Sequence, residues 1–240
     1  MKEILTLIEK RKQEFAQLPL FNYMKDKSID PRHRLSWAPC AAPFIMNFGE
    51  LNKYCFREEP ASDPIQAIIN KHTYEDDHHW LWFLEDLEKL ELDKTLKFSD
   101  ALRLLWSEEI KNTRWLNYEL YRYASTATPI QKLIIIEVTE ATGNIMFSYA
   151  GEVGREIKEL TQKECRYFAD SHLSVETGHI IGSSYTQQFL ETIQLSKETR
   201  QEALELVEKL FEYFGKFING LLFYTKNHKN YQEKYSVTLV

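Results

Sequence analysis

Two histidines and a glutamate in residues 172–179 have the spacing that most constrains how this chain can fold. The segment reads His-Leu-Ser-Val-Glu-Thr-Gly-His, so His172, Glu176 and His179 stand at positions i, i+4 and i+7. A helix turns about 100° per residue, and this spacing therefore brings the three side chains onto one helix face. The flanking residues are largely apolar, which indicates burial, and a buried charged group is costly unless it is paired or bound to a metal. We interpret this face as a set of metal ligands.

Residues 72–79 repeat the same chemistry in a second segment. His72, Glu75, Asp76 and His79 occupy positions i, i+3, i+4 and i+7, again on one face of a predicted helix. A strongly apolar stretch, Trp-Leu-Trp-Phe-Leu, follows at once, and five of the seven histidines of the chain lie in these two segments. Two helices that face each other with histidine and carboxylate side chains can build a metal site inside a helical bundle.

A third apolar segment contains two acids. Glu137 and Glu140 follow the sequence Leu-Ile-Ile-Ile, which is typical of a core helix. A glutamate in such surroundings needs a partner. That partner is either a lysine or arginine of a neighbouring helix, or a metal ion to which this third helix supplies a carboxylate.

The rest of the sequence also predicts helices. The chain of 240 residues contains only 8 glycines and 7 prolines, and the capping or breaking residues fall where the apolar periodicity starts or stops. The sequence predicts an all-α bundle of roughly seven to nine helices, and the length fits a single domain over residues 1–240. We expect helices at about residues 3–16, from Asp63 to about Leu90, from Ser99 to about Tyr123, from Pro129 to about Leu160, and from Ser196 onward.

Composition and charge argue against several classes of protein. A formal net charge of −6 and a pI near 5.7 do not suit a surface that binds nucleic acid. The apolar runs are too short to cross a bilayer, and the first residues lack the pattern of a secretory signal. The cysteines at positions 40, 55 and 165 form no CxxC pair, which fits reduced thiols. We therefore expect a cytoplasmic protein with no nucleic-acid or membrane partner.

Together these motifs resemble those of the haem-oxygenase-like diiron oxidases and oxygenases, and within them the CADD-like and TenA-related proteins. The resemblance covers about residues 64–182, the expected metal-binding core, and implies one haem-oxygenase-like helical domain for the whole chain. Three features carry it: the H-x3-D/E-x2-H spacing, a glutamate on the preceding core helix, and a histidine at the end of an acid-rich helix. They are met by His172, Glu176 and His179, by Glu140 with Glu137 as its rival, and by His79.

The resemblance implies a dinuclear metal centre. The expected cofactor is two iron ions, with manganese or a mixed pair as the alternative, and the implied ligands are His72, Glu75, His79, Glu140, His172, Glu176 and His179. The family usually has a glutamate seven residues before the first-helix histidine, where this chain has His72. Either His72 replaces that carboxylate, or Glu75 takes its role, with Asp76 as a further candidate. Mixed imidazole and carboxylate ligands suit iron or manganese and do not exclude zinc.

The function that the resemblance implies is an oxidase or oxygenase that uses O2 to oxidise a small organic substrate, such as an organic acid or an amino-acid-like molecule. Pairing of two copies into a homodimer is expected from the same resemblance. Two other interpretations stay open. One is a non-enzymatic helical protein that binds a ligand or partner. The other is a TenA-like hydrolase of thiamin fragments, which would be expected to use a cysteine and a glutamate in its pocket.

Overall fold

The structure is a computed structural model that describes residues 1–93, 96–170, 172 and 184–235, with the side chains of 184, 185, 187 and 228–235 left aside. Glu176 and His179 lie outside the described residues. The described part of the chain consists of helices and their connections and contains no β-strand. The all-α bundle predicted from the sequence is therefore confirmed.

The helices follow one another along the chain with short connections. A π-helical turn, Asn52–Phe56, extends α4, and a 3-10 turn, Glu108–Ile110, precedes α8. The α-helices of the described residues are α1 Lys2–Phe15, α2 Pro19–Lys25, α3 Pro31–Arg34, α4 Ala38–Leu51, α5 Pro64–Asp76, α6 Trp80–Lys89, α7 Phe98–Leu105, α8 Lys111–Ala124, α9 Pro129–Thr161, α10 Ser184–Thr192 and α11 Lys197–Tyr235.

Two helices begin at residues that the sequence predicted as their starts, Asp63 and Ser196, and a third begins after Thr128, next to the predicted start at Pro129. The Asp63 side chain accepts hydrogen bonds from the first backbone N–H groups of α5. Thr128 and Gln131 form a reciprocal capping box at the start of α9, and Ser196 accepts from the Thr199 N–H at the start of α11. Such caps satisfy N–H groups that have no partner within the helix. The starts of these helices are therefore fixed by local chemistry.

Two predicted helices are each divided in two. The helix expected from Asp63 to about Leu90 stops at Asp76, and residues 77–79 form a turn before α6. Arg57 explains the stop, because its guanidinium donates to the Thr73 carbonyl at 3.0 Å and to the Asp77 carboxylate at 2.7 Å. A side chain from outside the helix thus satisfies a carbonyl of its last turn.

The helix expected from Ser99 to about Tyr123 has the same kind of break. It is divided into α7 and α8, with the 3-10 turn between them. Arg114 donates to the carbonyls of Leu105 and Ser107 at 2.6 and 2.8 Å, and so satisfies the end of α7. Both predictions of a continuous helix were wrong, and at both breaks an arginine from outside the preceding helix donates to carbonyls at its end.

The long helix α9 lies at the centre of the bundle. It packs against α1, α5 and α11, while α4 packs against α6 and α8. Leu133, Ile134, Ile135 and Ile136 at its start are fully buried, which places the following acids of this helix next to α5. Among the helices that the structure describes, none is long and apolar enough to cross a membrane.

Candidate metal centre

The candidate site begins where the end of α5 meets the middle of α9. His72 and Asp76 lie one turn apart on α5, and both side chains are buried. The His72 Nε2 atom lies 3.4 Å from Asp76 Oδ2 and 3.6 Å from Glu140 Oε1. One ligand atom from each of these three residues falls within 4.8 Å of the other two. An imidazole and two carboxylates are therefore brought together in the interior of the bundle.

Two more imidazoles join this group from outside α5 and α9. His79 is the last residue before α6, and its Nδ1 atom lies 3.0 Å from Asp76 Oδ1. The same Nδ1 atom lies 3.2 Å from His172 Nε2. His79 and His172 are both buried. We call His72, Asp76, His79, Glu140 and His172 the histidine–acid cluster.

The separations within the histidine–acid cluster suit donors that share a metal ion. Ligand atoms each about 2.1 Å from one ion are about 3 Å apart when they are neighbours in its coordination shell. Four contacts link the cluster and measure 3.0 to 3.6 Å: His72 to Asp76, His72 to Glu140, Asp76 to His79, and His79 to His172. Three imidazoles and two carboxylates also form the mixed nitrogen and oxygen donor set that iron and manganese accept. The residues present therefore fit a metal ion.

The orientation of His172 is set by a backbone carbonyl. Its Nδ1 atom lies 2.8 Å from the Tyr167 carbonyl oxygen, which can only accept a hydrogen bond. Nδ1 therefore carries the proton, and in the neutral ring Nε2 keeps its lone pair and points at His79. Metal-binding histidines usually donate their second ring N–H to such an oxygen, which fixes the tautomer and the ring plane.

The plane of His79 is set by an aromatic neighbour. Its ring stacks on Trp82 with centroids 4.2 Å apart and planes at 22°. The guanidinium carbon of Arg166 lies 4.2 Å from the centroid of the Trp82 ring. Trp82 is one turn into α6, so the start of this helix carries both the imidazole and the group that orients it.

Asp86, seven residues after His79 on α6, is a buried acid that the sequence interpretation missed. Its carboxylate accepts backbone hydrogen bonds from Arg166, Tyr167 and Phe168 at 2.7 to 2.9 Å. These N–H groups belong to the turn whose Tyr167 carbonyl orients His172. The spacing of seven residues was a usable signal, because it places Asp86 on the same face of α6 as His79.

A cavity of about 90 Å³ lies beside the histidine–acid cluster. Asp76, His79, Glu140 and His172 are among its polar lining residues. Aromatic residues of α1, α4 and α11 dominate the rest of the wall, and no lysine or arginine is found among its described lining residues. The apolar wall includes Phe15, Phe44, Phe48, Phe214 and Phe217.

The remaining predicted ligands have different positions. Glu75 is half-buried on α5, one residue before Asp76, and is not part of the three-residue group of α5 and α9. Glu137 does not line the cavity either, and burial raises the pKa of its carboxyl to about 7. Of the two acids on α9, Glu140 is therefore the one that reaches the cluster. Glu176 and His179 fall on residues outside the described ranges.

No protein-family model matches the sequence, and no curated protein is significantly similar to it. Among solved structures, the crystal structure of a TenA homolog from Pseudomonas syringae pv. tomato str. DC3000 matches with a TM-score of 0.65. The match covers 92% of this chain and 91% of that one, at 12% sequence identity. The chain thus has the all-helical fold of TenA and haem-oxygenase-like proteins. A likeness at this identity establishes the fold and not the activity.

Proposed function

We propose that this chain is a non-haem metal-dependent oxidase or oxygenase that acts with O2 on a small organic substrate. The observation that carries the proposal is the convergence of three imidazoles and two carboxylates beside an apolar cavity. Buried imidazoles and carboxylates together form the mixed nitrogen and oxygen donor set that a transition-metal cation accepts.

Iron is the first candidate for the bound metal, with manganese second. His72, Asp76, His79, Glu140 and His172 would hold it, and Glu176 and His179 remain proposed ligands on the basis of their sequence spacing. Two ions are proposed because the family resemblance implies them and the ligand set is large. When bound, iron supplies the electrons and the open coordination positions that O2 requires.

The cavity wall supports an apolar substrate. The hydroxyls of Thr139 and Thr142 also line it, but they donate to the carbonyls of Ile135 and Thr139 in their own helix, each at 2.9 Å. The ionisable acids and imidazoles of the described cavity lining therefore belong to the histidine–acid cluster. We propose a substrate with an apolar chain or ring against the aromatic wall and its reacting group at the cluster. This is narrower than the organic acid or amino-acid-like molecule expected from the resemblance.

The apolar wall has a second role in this proposal. Phe44, Phe48 and Trp37 from the α4 side line the same cavity as the acids of the cluster. They restrict access of water to the cluster, which strengthens the electrostatic interactions there and protects reactive species from side reactions. In this proposal the protein holds the metal, orients the substrate and shields both from water.

Metal analysis of iron-supplemented protein tests the proposal. We expect bound iron in the wild type, its loss in His172→Ala, and its retention in His78→Ala. His78 is a matched control because it is adjacent to His79 in sequence but half-exposed, with its Nδ1 atom 3.5 Å from Asp77. Oxygen uptake with a one-electron reductant should follow the bound iron. Iron-free wild-type protein that takes up no oxygen would contradict the proposal and favour a ligand-binding protein of the same fold.

A TenA-like hydrolase is the second candidate, because the fold likeness favours it. Such an enzyme would be expected to have a reactive thiol in the cavity. No described cysteine lines it, and burial raises the pKa of Cys40 and of Cys165 to about 12, which suppresses the reactive thiolate. The test is hydrolysis of a thiamin fragment by a variant in which Cys40, Cys55 and Cys165 are all replaced by serine. Activity that persists in this variant would mean that the protein is a hydrolase that does not use a cysteine.

A further inference from the structure

Asp86 holds three successive backbone N–H groups although it lies on a different helix from the site's other acids. Its side chain is fully buried, and the Lys89 ammonium lies 3.2 Å from Oδ1. A buried carboxylate is stable only when hydrogen bonds replace its lost hydration. Arg166, Tyr167 and Phe168 provide these bonds from a turn 80 to 82 residues further along the chain.

One of these bonds acts on the peptide group that orients His172. The Phe168 N–H and the Tyr167 carbonyl belong to the same planar peptide unit. Asp86 Oδ2 accepts from that N–H at 2.9 Å, and the carbonyl accepts from His172 Nδ1 at 2.8 Å. The carboxylate, the peptide group and the imidazole thus form a continuous hydrogen-bonded chain. Such chains polarise their members, so the charge of Asp86 strengthens the carbonyl as an acceptor.

The opposite side of the turn is held by α9. A Cβ atom added at Gly154 would lie 2.0 Å from the Phe168 carbonyl oxygen. This distance is far below any ordinary contact, so only glycine lets the turn approach α9 this closely. The turn is therefore fixed from one side by the carboxylate on α6 and from the other by the glycine on α9.

We propose that Asp86 is a positioning residue, which fixes the tautomer and orientation of His172 through the peptide group between Tyr167 and Phe168. The inference deepens the proposed function, because the oriented Nε2 atom is one of the proposed metal ligands. Helix α6 would then contribute to the site at both ends. His79 directly precedes its first turn, and Asp86, which orients His172, lies near its last turn.

The first experiment compares Asp86→Asn with the wild type in three measurements: iron(II) affinity by anaerobic competition with a chelator, free energy of unfolding, and imidazole nitrogen NMR of the metal-free protein. Asparagine turns an NH2 group toward N–H donors and removes the charge. We expect iron affinity to fall about 10- to 100-fold, as for other residues that orient a ligand. We also expect the NMR signature of the Nδ1-protonated ring of His172 to be lost.

Arg34→Met is the control for stability alone. Arg34 is a buried side chain of α3 that donates to the Met24 carbonyl, away from the cluster. Its loss should destabilise the protein and leave iron affinity within about twofold. Asp86→Asn protein with unchanged affinity and an unchanged His172 signal would overturn the proposal and leave Asp86 a structural residue.

A second variant covers the case in which Asp86→Asn does not fold. Gly154→Ala pushes the same turn from the α9 side and should shift the same NMR signal. Gly215→Ala is its matched control, because a Cβ there meets nothing within 4 Å. If the wild type binds no iron, the proposed function fails, whereas the NMR signal of metal-free His172 still tests the role of Asp86. An Nδ1-protonated His172 that Gly154→Ala does not disturb would contradict the inference.

Discussion

Two polar clusters in this molecule, each built around a buried side chain, differ in the groups that face their carboxylates. In the first, the Arg34 cluster, Arg34 and Lys27 both donate to Glu156, and Arg34 also donates to the Met24 carbonyl. Burial acts to raise the pKa of Glu156, but the bonds from Arg34 and Lys27 outweigh it, so that the pKa is lowered. Opposite charges complete this cluster from within the chain.

The histidine–acid cluster has a different composition. His72 lies between two carboxylates, those of Asp76 and Glu140, and no lysine or arginine belongs to the described wall of the adjacent cavity. We interpret the Arg34 cluster as a structural ion-pair network, whereas the histidine–acid cluster is the proposed site of a cation.

The largest expected effect comes from a substitution in the Arg34 cluster. Glu156→Gln leaves the Arg34 guanidinium buried without its carboxylate, and we expect the free energy of unfolding to fall by about 3 kcal/mol. Asp76→Asn in metal-free protein at pH 8 should change it by less than about 1 kcal/mol, because a second carboxylate already faces His72. Urea denaturation of both variants measures the contrast. Equal losses would mean that both clusters are structural ion-pair networks.

The second largest expected effect is the stabilisation of the folded protein by added iron(II). Iron(II) at one hundred times its dissociation constant should raise the free energy of unfolding by about 2.7 kcal/mol in the wild type. Glu156→Gln should gain the same increment from its lower starting point, and Asp76→Asn should gain little. Denaturation under anaerobic conditions, with and without iron(II), measures these increments. If iron(II) stabilises Asp76→Asn but not Glu156→Gln, the cation binds at the Arg34 cluster, and the proposal is contradicted.

The third effect concerns Glu137, the acid on α9 outside both clusters. Burial raises the pKa of its carboxyl from an ordinary value of 4.5 to about 7. The folded state therefore binds the proton more tightly, and its stability falls as the pH rises from about 4.5 to about 7. We expect Glu137→Gln to remove this fall and to be more stable than the wild type at pH 8 by about 2 kcal/mol. Parallel pH dependences of unfolding in both proteins would contradict the assignment.

The smallest expected effect on stability comes from an ion pair that is exposed to solvent. Arg103 and Asp100 form an ion pair on the exposed surface of α7. Arg103→Ala should change the free energy of unfolding by no more than about 0.5 kcal/mol, because water and salt screen such pairs. Thermal unfolding at low and high salt measures it. A loss as large as that of Glu156→Gln would show that burial is not what distinguishes the Arg34 cluster.

The parts of the fold that could be predicted from sequence are those with local causes. The side chains of Asp63, Thr128 and Ser196 cap helices by accepting from backbone N–H groups only two or three residues away. The apolar residues at the start of α9 likewise predict that this part of the helix is buried. The ends of α5 and α7 could not be predicted, because they depend on arginine side chains beyond each helix, Arg57 before α5 and Arg114 in α8. Apolar periodicity does not encode such side-chain contacts.

The candidate site was predictable to a similar extent. Spacing alone brought His72 and His79 onto one face and singled out the acids of α9, but it could not choose Glu140 over Glu137 or Asp76 over Glu75. That choice depends on how α5 and α9 are rotated against each other. The role proposed for Asp86 depends on backbone N–H groups about 80 residues away, which no side-chain pattern reveals.

The wide sequence separation within the histidine–acid cluster has a consequence for folding. His79 and His172 are 93 residues apart, although their ring nitrogens lie within 3.2 Å. Closing so long a loop costs entropy that must be recovered by other native contacts. We therefore expect the cluster to be complete only after α5, α9 and the turn at residues 165–168 have docked, which is late in folding. An ion added to the unfolded chain would then meet none of the proposed ligand set in its final arrangement.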